Sequence, residues 1–168
     1  MPRRTPNVVI YCDMDQVLAD FLGGAEKLIG EPFEAKSGDQ HTQDEKKAMI
    51  VAKKGFWDKL SWHEGGRNLW KVITKNPNNT VHILSAYASW DPNCKSGKKA
   101  WLKKNLKPSP SRIYLVRRAE KQNFAEKNVI LIDDHSRNIK EWSSAGGEAV
   151  HHINTSTTIS KLKKLGII

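Results

Sequence analysis

The apolar positions of this chain gather into short runs separated by stretches of mixed polarity. Val8-Val9-Ile10-Tyr11-Cys12, Val81-His82-Ile83-Leu84, Ile113-Tyr114-Leu115-Val116 and Val129-Ile130-Leu131-Ile132 are such runs. They are rich in β-branched residues and too short for buried helices, so each predicts a strand. Ala149 to Ile153 predicts a fifth strand. Between them the apolar spacing turns helical. Leu18, Phe21, Leu22, Ala25, Leu28 and Ile29 predict a helix over 18–29, and Leu69, Trp70, Val72 and Ile73 predict one over 66–75 that Asn76-Pro77-Asn78-Asn79 stops. Trp101, Leu102 and Leu106 place another over 96–106, and the spans 136–144 and 159–165 complete the set. Alternating strands and helices predict an α/β fold, a parallel sheet sandwiched by helices with right-handed crossovers. One block breaks the rhythm. Residues 31–46 are polar and read either as loop or as weak helix, and 44–53 reads as helix. The expected organisation is a core of 1–20 and 65–168 with a small helical cap, 21–64, inserted after the first strand.

The ends of the strands carry the chemistry. The first runs into Asp13-Met14-Asp15, the run from Val129 ends in Asp133-Asp134, and Val81 to Leu84 ends in Ser85-Ala86. Ligands of open parallel sheets bind outside the carboxyl ends of the strands. Carboxylates this close repel one another unless a cation or a proton lies between them. A hard divalent cation of the magnesium type takes oxygen ligands and keeps waters and substrate phosphate in its shell. An aspartate left free in such a site is a competent nucleophile toward phosphorus. A solvated turn explains either acid pair alone. Two pairs and a hydroxyl at three strand ends point to a site.

In these residues the chain resembles the haloacid-dehalogenase-like (HAD) phosphohydrolases and, within them, the 5'(3')-deoxyribonucleotidases. The resemblance is carried by Asp13-Met14-Asp15-x-Val17-Leu18-Ala19-Asp20-Phe21, by Ser85, and by Arg118-x-x-Lys121 ahead of Leu131-Ile132-Asp133-Asp134. Gly55-Phe56-Trp57-x-x-Leu60, Gly65-Gly66 and Lys98-x-x-Trp101 add to it. It implies a Rossmann-like HAD core and a magnesium-dependent phosphomonoesterase that dephosphorylates (deoxy)nucleoside monophosphates through an aspartyl-phosphate. By the same resemblance Asp13 is the nucleophile and Asp15 the general acid and then base. Ser85, Ala86, Lys121, Arg118 and Lys98 would bind the phosphate. The metal would lie on Asp13, on Asp133 or Asp134, and on Asp15 through its backbone carbonyl.

Several of these positions carry a second reading. Phe21, Phe56 and Trp57 have faces suited to a flat nucleobase, and Trp57 reads equally as core. Lys98 reads equally as site or surface, because Lys95 and Lys99 sit beside it. Arg117 is an alternative to Arg118. Gln16 stands where the family has glycine, so either the turn is altered or Gln16 lines the site.

Composition narrows the partners. A chain of 168 residues, 38% hydrophobic and 27% charged, suits one globular domain. No apolar run approaches the roughly 20 residues of a membrane span. The basic start, Met1 to Arg4, precedes an apolar stretch that Asp13 interrupts, so it does not read as a signal peptide. Cys12, in the first strand, and Cys94, expected in a loop, suggest no disulfide framework, and the expected compartment is the cytoplasm. Among the histidines, His135, His151 and His152 read as surface or strand-end residues, with no zinc cluster to join. The net charge of +10 is concentrated from Lys95 to Lys121 and attracts polyanions. Lys103, Lys104 and Lys107 read as a solvated helix face. Nucleic acid is therefore a second candidate partner beside a small nucleotide, and a polynucleotide-end (3'-)phosphatase the runner-up, although no zinc-ligand spacing and no RNP-type strand accompanies the charge. A non-enzymatic nucleic-acid-binding relative would have lost its nucleophile, and Asp13 is present.

Overall fold

The computed structural model describes residues 7–168. Five strands form one parallel sheet: β1 (Val9–Cys12), β2 (Thr80–Ala86), β3 (Ile113–Val116), β4 (Val129–Asp133) and β5 (Glu148–His151), in the order β3-β2-β1-β4-β5. The first strand is thus central, with β2 on one edge and β4 on the other. The chain moves outward from β1 to one side and later returns to the other. That reversal opens a crevice at the carboxyl ends of β1 and its neighbours.

Six helices accompany the sheet: α1 (Phe21–Ile29), α2 (Gln43–Ala52), α3 (Gly66–Ile73), α4 (Cys94–Asn105), α5 (Ser136–Ser144) and α6 (Thr155–Lys164). Alternation along the strands divides the apolar side chains between two clusters. Ile10, Cys12, Ile83, Ile130 and Ile132 join Leu69 and Trp70 of α3, Trp101 and Leu102 of α4 and Leu162 of α6. Leu84, Val129 and Leu131 point the other way, onto Trp142 of α5. Ala25, Ile29, Ile50, Phe56, Trp57 and Leu60, all from the 21–64 block, belong to the first of these clusters. The inserted block therefore shares its apolar core with the sheet.

Four features differ from the sequence reading. The first helix starts at Phe21 rather than Leu18, because residues 14–19 are spent on a turn and Asp20 is the N-cap, its carboxylate accepting from the Gly23 N–H. Cys94 is the first residue of a helix, fully buried, rather than a loop residue. The last helix begins at Thr155, capped by Asn154, four residues before the apolar spacing shows itself. A 3-10 helix, Arg118–Phe124, stands between β3 and β4 where no element was expected.

The polar stretch before α2 is loop, organised on one buried cation. Lys46 is fully buried, and its Nζ donates to the Pro32 carbonyl and to Asp39 Oδ2 at 2.8 Å. Glu31 lies 3.8 Å from the same ammonium and accepts the N–H groups of Gln40 and His41. A Thr42–Glu45 capping box then starts α2.

Candidate active site

β1 runs straight into Asp13, whose N–H donates to the Ile132 carbonyl at 2.9 Å and so fixes Asp13 beside the end of β4. The chain then doubles back. The Met14 carbonyl accepts the N–H groups of Leu18 and Ala19, both at 2.9 Å, and the Gln16 N–H donates to Ala19 at 2.8 Å. This turn puts Gln16 at φ 61°, left-handed backbone that costs a non-glycine residue roughly 1 kcal/mol. The Gln16 side chain offsets the cost. Its Nε2 donates to Asp20 Oδ1 at 3.1 Å, and its Oε1 accepts the Leu22 N–H at 2.8 Å. The turn keeps the left-handed backbone that glycine would favour, and the amide that ties it to α1 also lines the cavity.

The turn is braced from behind. The Asp20 N–H donates to Ser61 at 2.9 Å and the His63 N–H to Leu18 at 2.7 Å. Gly66, at the start of α3, passes so close that a Cβ there would lie 2.8 Å from the Leu18 carbonyl oxygen. Only glycine fits that approach.

A cavity of about 230 Å³ opens at these strand ends, lined by Asp13, Asp15, Gln16, Phe21, Leu22, Ala86, Arg118, Lys121, Asp133, Asp134, His135 and Asn138. Carboxylate oxygens of Asp13, Asp133 and Asp134 all lie within 4.8 Å of one another. Lys121, delivered by the 3-10 helix and 3% exposed, stands between two of them, 3.1 Å from Asp13 Oδ1 and 2.7 Å from Asp133 Oδ2. Asp133 also accepts the His135 N–H at 2.9 Å and Asn138 Nδ2 at 3.1 Å. Asp133 thus accepts from three donors. Asp134, half-buried, takes none of those bonds and is the less committed of the pair.

Burial, and then the charge of Asp133, push the Asp13 carboxyl well above the usual range, against the pull of Lys121. Asp134 is raised for the same two reasons. Burial by itself would lower the Lys121 ammonium, but Asp13 and Asp133 outweigh it and hold it above the ordinary lysine value. Burial and the neighbouring Asp13 raise the Cys12 thiol far above its usual value, which leaves it inert. A crowded set of carboxylates with only oxygen donors suits a hard cation of the magnesium type, whose charge would reverse the upward shifts.

Asp15 stands apart from this cluster. Its Oδ2 accepts from Lys98 Nζ at 2.7 Å, and its Oδ1 is buried with no partner among the described residues. The Asp15 side chain is therefore not one of the clustered acids, and any contact with a metal would fall to its backbone. Lys98 is fully buried, whereas Lys95 and Lys99 are exposed, so its two readings resolve toward the interior. The same ammonium donates to Ser85 Oγ at 3.0 Å and to the Ala86 carbonyl at 2.6 Å. Ser85 points inward from β2 and is fully buried, so it and Lys98 lie behind the cavity wall, and only Ala86 of that group reaches it. Ser85 and Lys98, expected to bind phosphate, are bonded to one another, and Lys98 also holds Asp15.

The aromatic candidates divide by burial. Phe56 and Trp57 are core residues, 8% and 3% exposed, and neither lines the catalytic cavity. Trp57 is pinned by its Nε1, which donates to Asp91 Oδ2 at 2.7 Å. Phe21 does reach the wall, half-buried, with its ring stacked on Trp57 at 5.3 Å. Arg118 lines the cavity and Arg117 does not; Arg118 Nη1 is 3.0 Å from both Asn138 Oδ1 and Glu141 Oε2.

Three wall residues were not read from the sequence as site residues: Leu22, His135 and Asn138. Asn138 had a usable signal, being a polar residue on the inward side of the helix that directly follows an acid pair. Leu22 is 45% exposed, an apolar side chain left at the mouth of the cavity.

No protein-family model matches the chain, and no curated protein matches it. Solved structures do. The HAD-hydrolase YfnB from Bacillus subtilis, bound to magnesium, aligns with a TM-score of 0.57 at 14% identity, over 86% of each chain. A HAD-family enzyme from Bacteroides thetaiotaomicron, in complex with magnesium and inorganic phosphate, aligns at 0.50 and 14% identity, over 86% of this chain and 93% of that one. L-2-haloacid dehalogenase from Xanthobacter autotrophicus, with chloropropionic acid covalently bound, aligns at 0.56 and 7% identity, over 98% and 85%. At such identities the likeness speaks for architecture, and this chain has the fold of the HAD hydrolases.

Proposed function

We propose that the protein is a magnesium-dependent phosphomonoesterase acting on (deoxy)nucleoside monophosphates. The observation that carries the reading is the division of the four acids. Asp13, Asp133 and Asp134 crowd around Lys121, while Asp15, next along the wall, is held separately by Lys98. One group suits charge neutralisation and attack, the other proton transfer.

Asp13 attacks phosphorus and the ester P–O bond breaks, leaving a phosphoryl group on the Asp13 carboxylate. Asp15 delivers a proton to the departing alkoxide, then takes one from the water that attacks the same phosphorus, freeing phosphate and regenerating Asp13. Lys121 offsets negative charge on the phosphoryl oxygens from a dry position, where such a charge counts most. Asp13 and Asp134, with the Asp15 backbone, would hold the magnesium, which supplies further charge neutralisation when bound.

The substrate class rests on shape and on the sequence resemblance. A cavity of about 230 Å³ takes the phosphate end of a substrate and leaves its remainder at the mouth. There Phe21 and Leu22, both from the 21–64 block read as cap, offer apolar surface to a sugar or base. Phosphate release from a panel of nucleoside monophosphates, sugar phosphates and an aryl phosphate, with and without magnesium, tests the reading. Turnover that requires magnesium, favours a nucleotide and disappears in Asp13→Asn supports it. Equal turnover in Asp13→Asn overturns the covalent route, and a preference for sugar phosphates overturns the substrate class.

A further inference from the structure

A second cavity, larger than the catalytic one, lies between the segment that follows α2 and the outer face of α4. It measures about 670 Å³, with Lys53, Lys54 and Lys59 on one wall and Ser96, Gly97 and Ala100 on the other. Trp57 forms its floor; a Cβ on Gly97 would lie 2.5 Å from that side chain. Stacked on the same indole at 5.3 Å is Phe21, which lines the catalytic cavity. The two cavities thus share a stacked aromatic pair between their linings.

Helical spacing extends the basic wall. Lys99 and Lys103 follow Ser96 at intervals of three and four, and Lys104 follows Ala100 at four, so the face that lines the cleft continues as lysines. Lys53, Lys54, Lys59, Lys99, Lys103 and Lys104 are all exposed, and none is in an ion pair among the described residues. Two carboxylates share the cleft. Asp91 is buried and spent on Trp57 and the Asn93 N–H, which leaves Asp58 as the one acid on the rim among the described residues.

Three unpaired cations in the cleft, Lys53, Lys54 and Lys59, and three that follow it along α4 by helical spacing repel each other and gather counter-ions. A polyanion that displaces those ions gains their release. A bilayer is too flat to enter a cleft, whereas a flexible chain of phosphodiesters can follow the Lys53–Lys59 wall and continue onto the lysines of α4. We propose that this lysine-walled cleft binds single-stranded nucleic acid through its phosphate backbone. The proposal is independent of the chemistry assigned to the catalytic cavity.

The test is fluorescence anisotropy with a labelled oligothymidylate of about 15 residues, lacking terminal phosphates. Neutralising about four phosphates should weaken binding roughly 50-fold between about 50 and about 200 mM salt. The triple variant Lys53→Glu, Lys54→Glu, Lys99→Glu should bind at least about tenfold more weakly than the parent. Lys71→Glu, Lys75→Glu, Lys164→Glu changes the net charge equally at exposed positions outside the cleft and should lose less than about threefold. Magnesium-dependent turnover of an aryl phosphate, or an unchanged melting temperature if no turnover is found, certifies the fold of each variant. Equal losses in the two variants would reduce the cleft to diffuse charge and overturn the proposal. So would the absence of oligonucleotide binding, or equal competition by polyglutamate or by vesicles of anionic lipid.

Discussion

Lys98 Nζ lies 2.7 Å from Asp15 Oδ2, joining α4 to the turn after β1 across 83 residues of sequence. The ammonium is held in turn by Ser85 Oγ and the Ala86 carbonyl, so the orientation of Asp15 is set by a strand end it does not belong to. In the proposed reaction Asp15 moves the proton. Asp15→Asn should slow alkyl phosphates about 10²-fold or more, and activated aryl phosphates far less, because only the former need a proton delivered. Lys98→Met should show the same leaving-group pattern in weaker form. A loss of equal size on both substrates would make Lys98 a structural residue.

Lys121 is the sole cation in direct contact with the clustered acids among the described residues. Removing it leaves buried carboxylates without a counter-charge, an arrangement that costs about 3–5 kcal/mol. Lys121→Met should therefore melt well below the parent without magnesium and recover more than the parent when magnesium is added. Thermal melts with and without the ion measure both effects. A variant that melts like the parent would show that the acids are already neutralised by protons.

Gly66→Ala introduces a Cβ 2.8 Å from the Leu18 oxygen and 2.9 Å from the Val17 oxygen, both main-chain atoms. The catalytic turn must shift to admit it. Urea unfolding should show a loss of about 1–3 kcal/mol, the ordinary cost of overpacking, and turnover should fall with it. Gly66 is not among the positive-φ glycines, so the loss there reports crowding; Gly38→Ala, at φ 93° with nothing within 4 Å among the described residues, gives backbone strain without crowding for contrast.

Gln16→Gly relieves the left-handed backbone at φ 61° and removes the ties to Asp20 and Leu22. The two effects, each about 1 kcal/mol, oppose one another, so stability should change little. Gln16→Val keeps the strain, worsens it with a branched Cβ and loses both bonds, and should be clearly destabilised. Chemical denaturation of the pair distinguishes strain from tethering.

His152, 3% exposed, hydrogen-bonds Thr158 Oγ1 at 2.7 Å through Nδ1 and has no partner at Nε2 among the described residues. Burial, then the neighbouring His63 and His151, lower its pKa from 6.5 to about 4. As pH falls below 6.5 the unfolded chain takes up the proton first. Stability is therefore lost progressively from 6.5 down to about 4 and levels off below that. The shift corresponds to as much as about 3 kcal/mol. Melting temperatures across this window should fall more steeply for the parent than for His152→Gln, and parallel slopes would remove His152 as the cause.

The sequence by itself determined what is local. Runs of β-branched residues and helical spacing depend on neighbours a few positions away, so the strands, most helices and the acids that end β1 and β4 could all be read in one dimension. The Asp13-Met14-Asp15 and Asp133-Asp134 pairs fall at strand ends, as their position after apolar runs demands. What only the tertiary structure decided is which donors those acids meet. Lys121 arrives on a 3-10 helix too short to leave a periodic signal, and Asn138 from the first turn of α5. Lys98 differs from Lys95 and Lys99 only in the direction its helix face points, and that direction is set by packing across the molecule. Phe56 and Trp57 looked like ligand residues because an aromatic ring serves a core and a base equally well. Burial chose between the two, and burial is a property of the assembled chain.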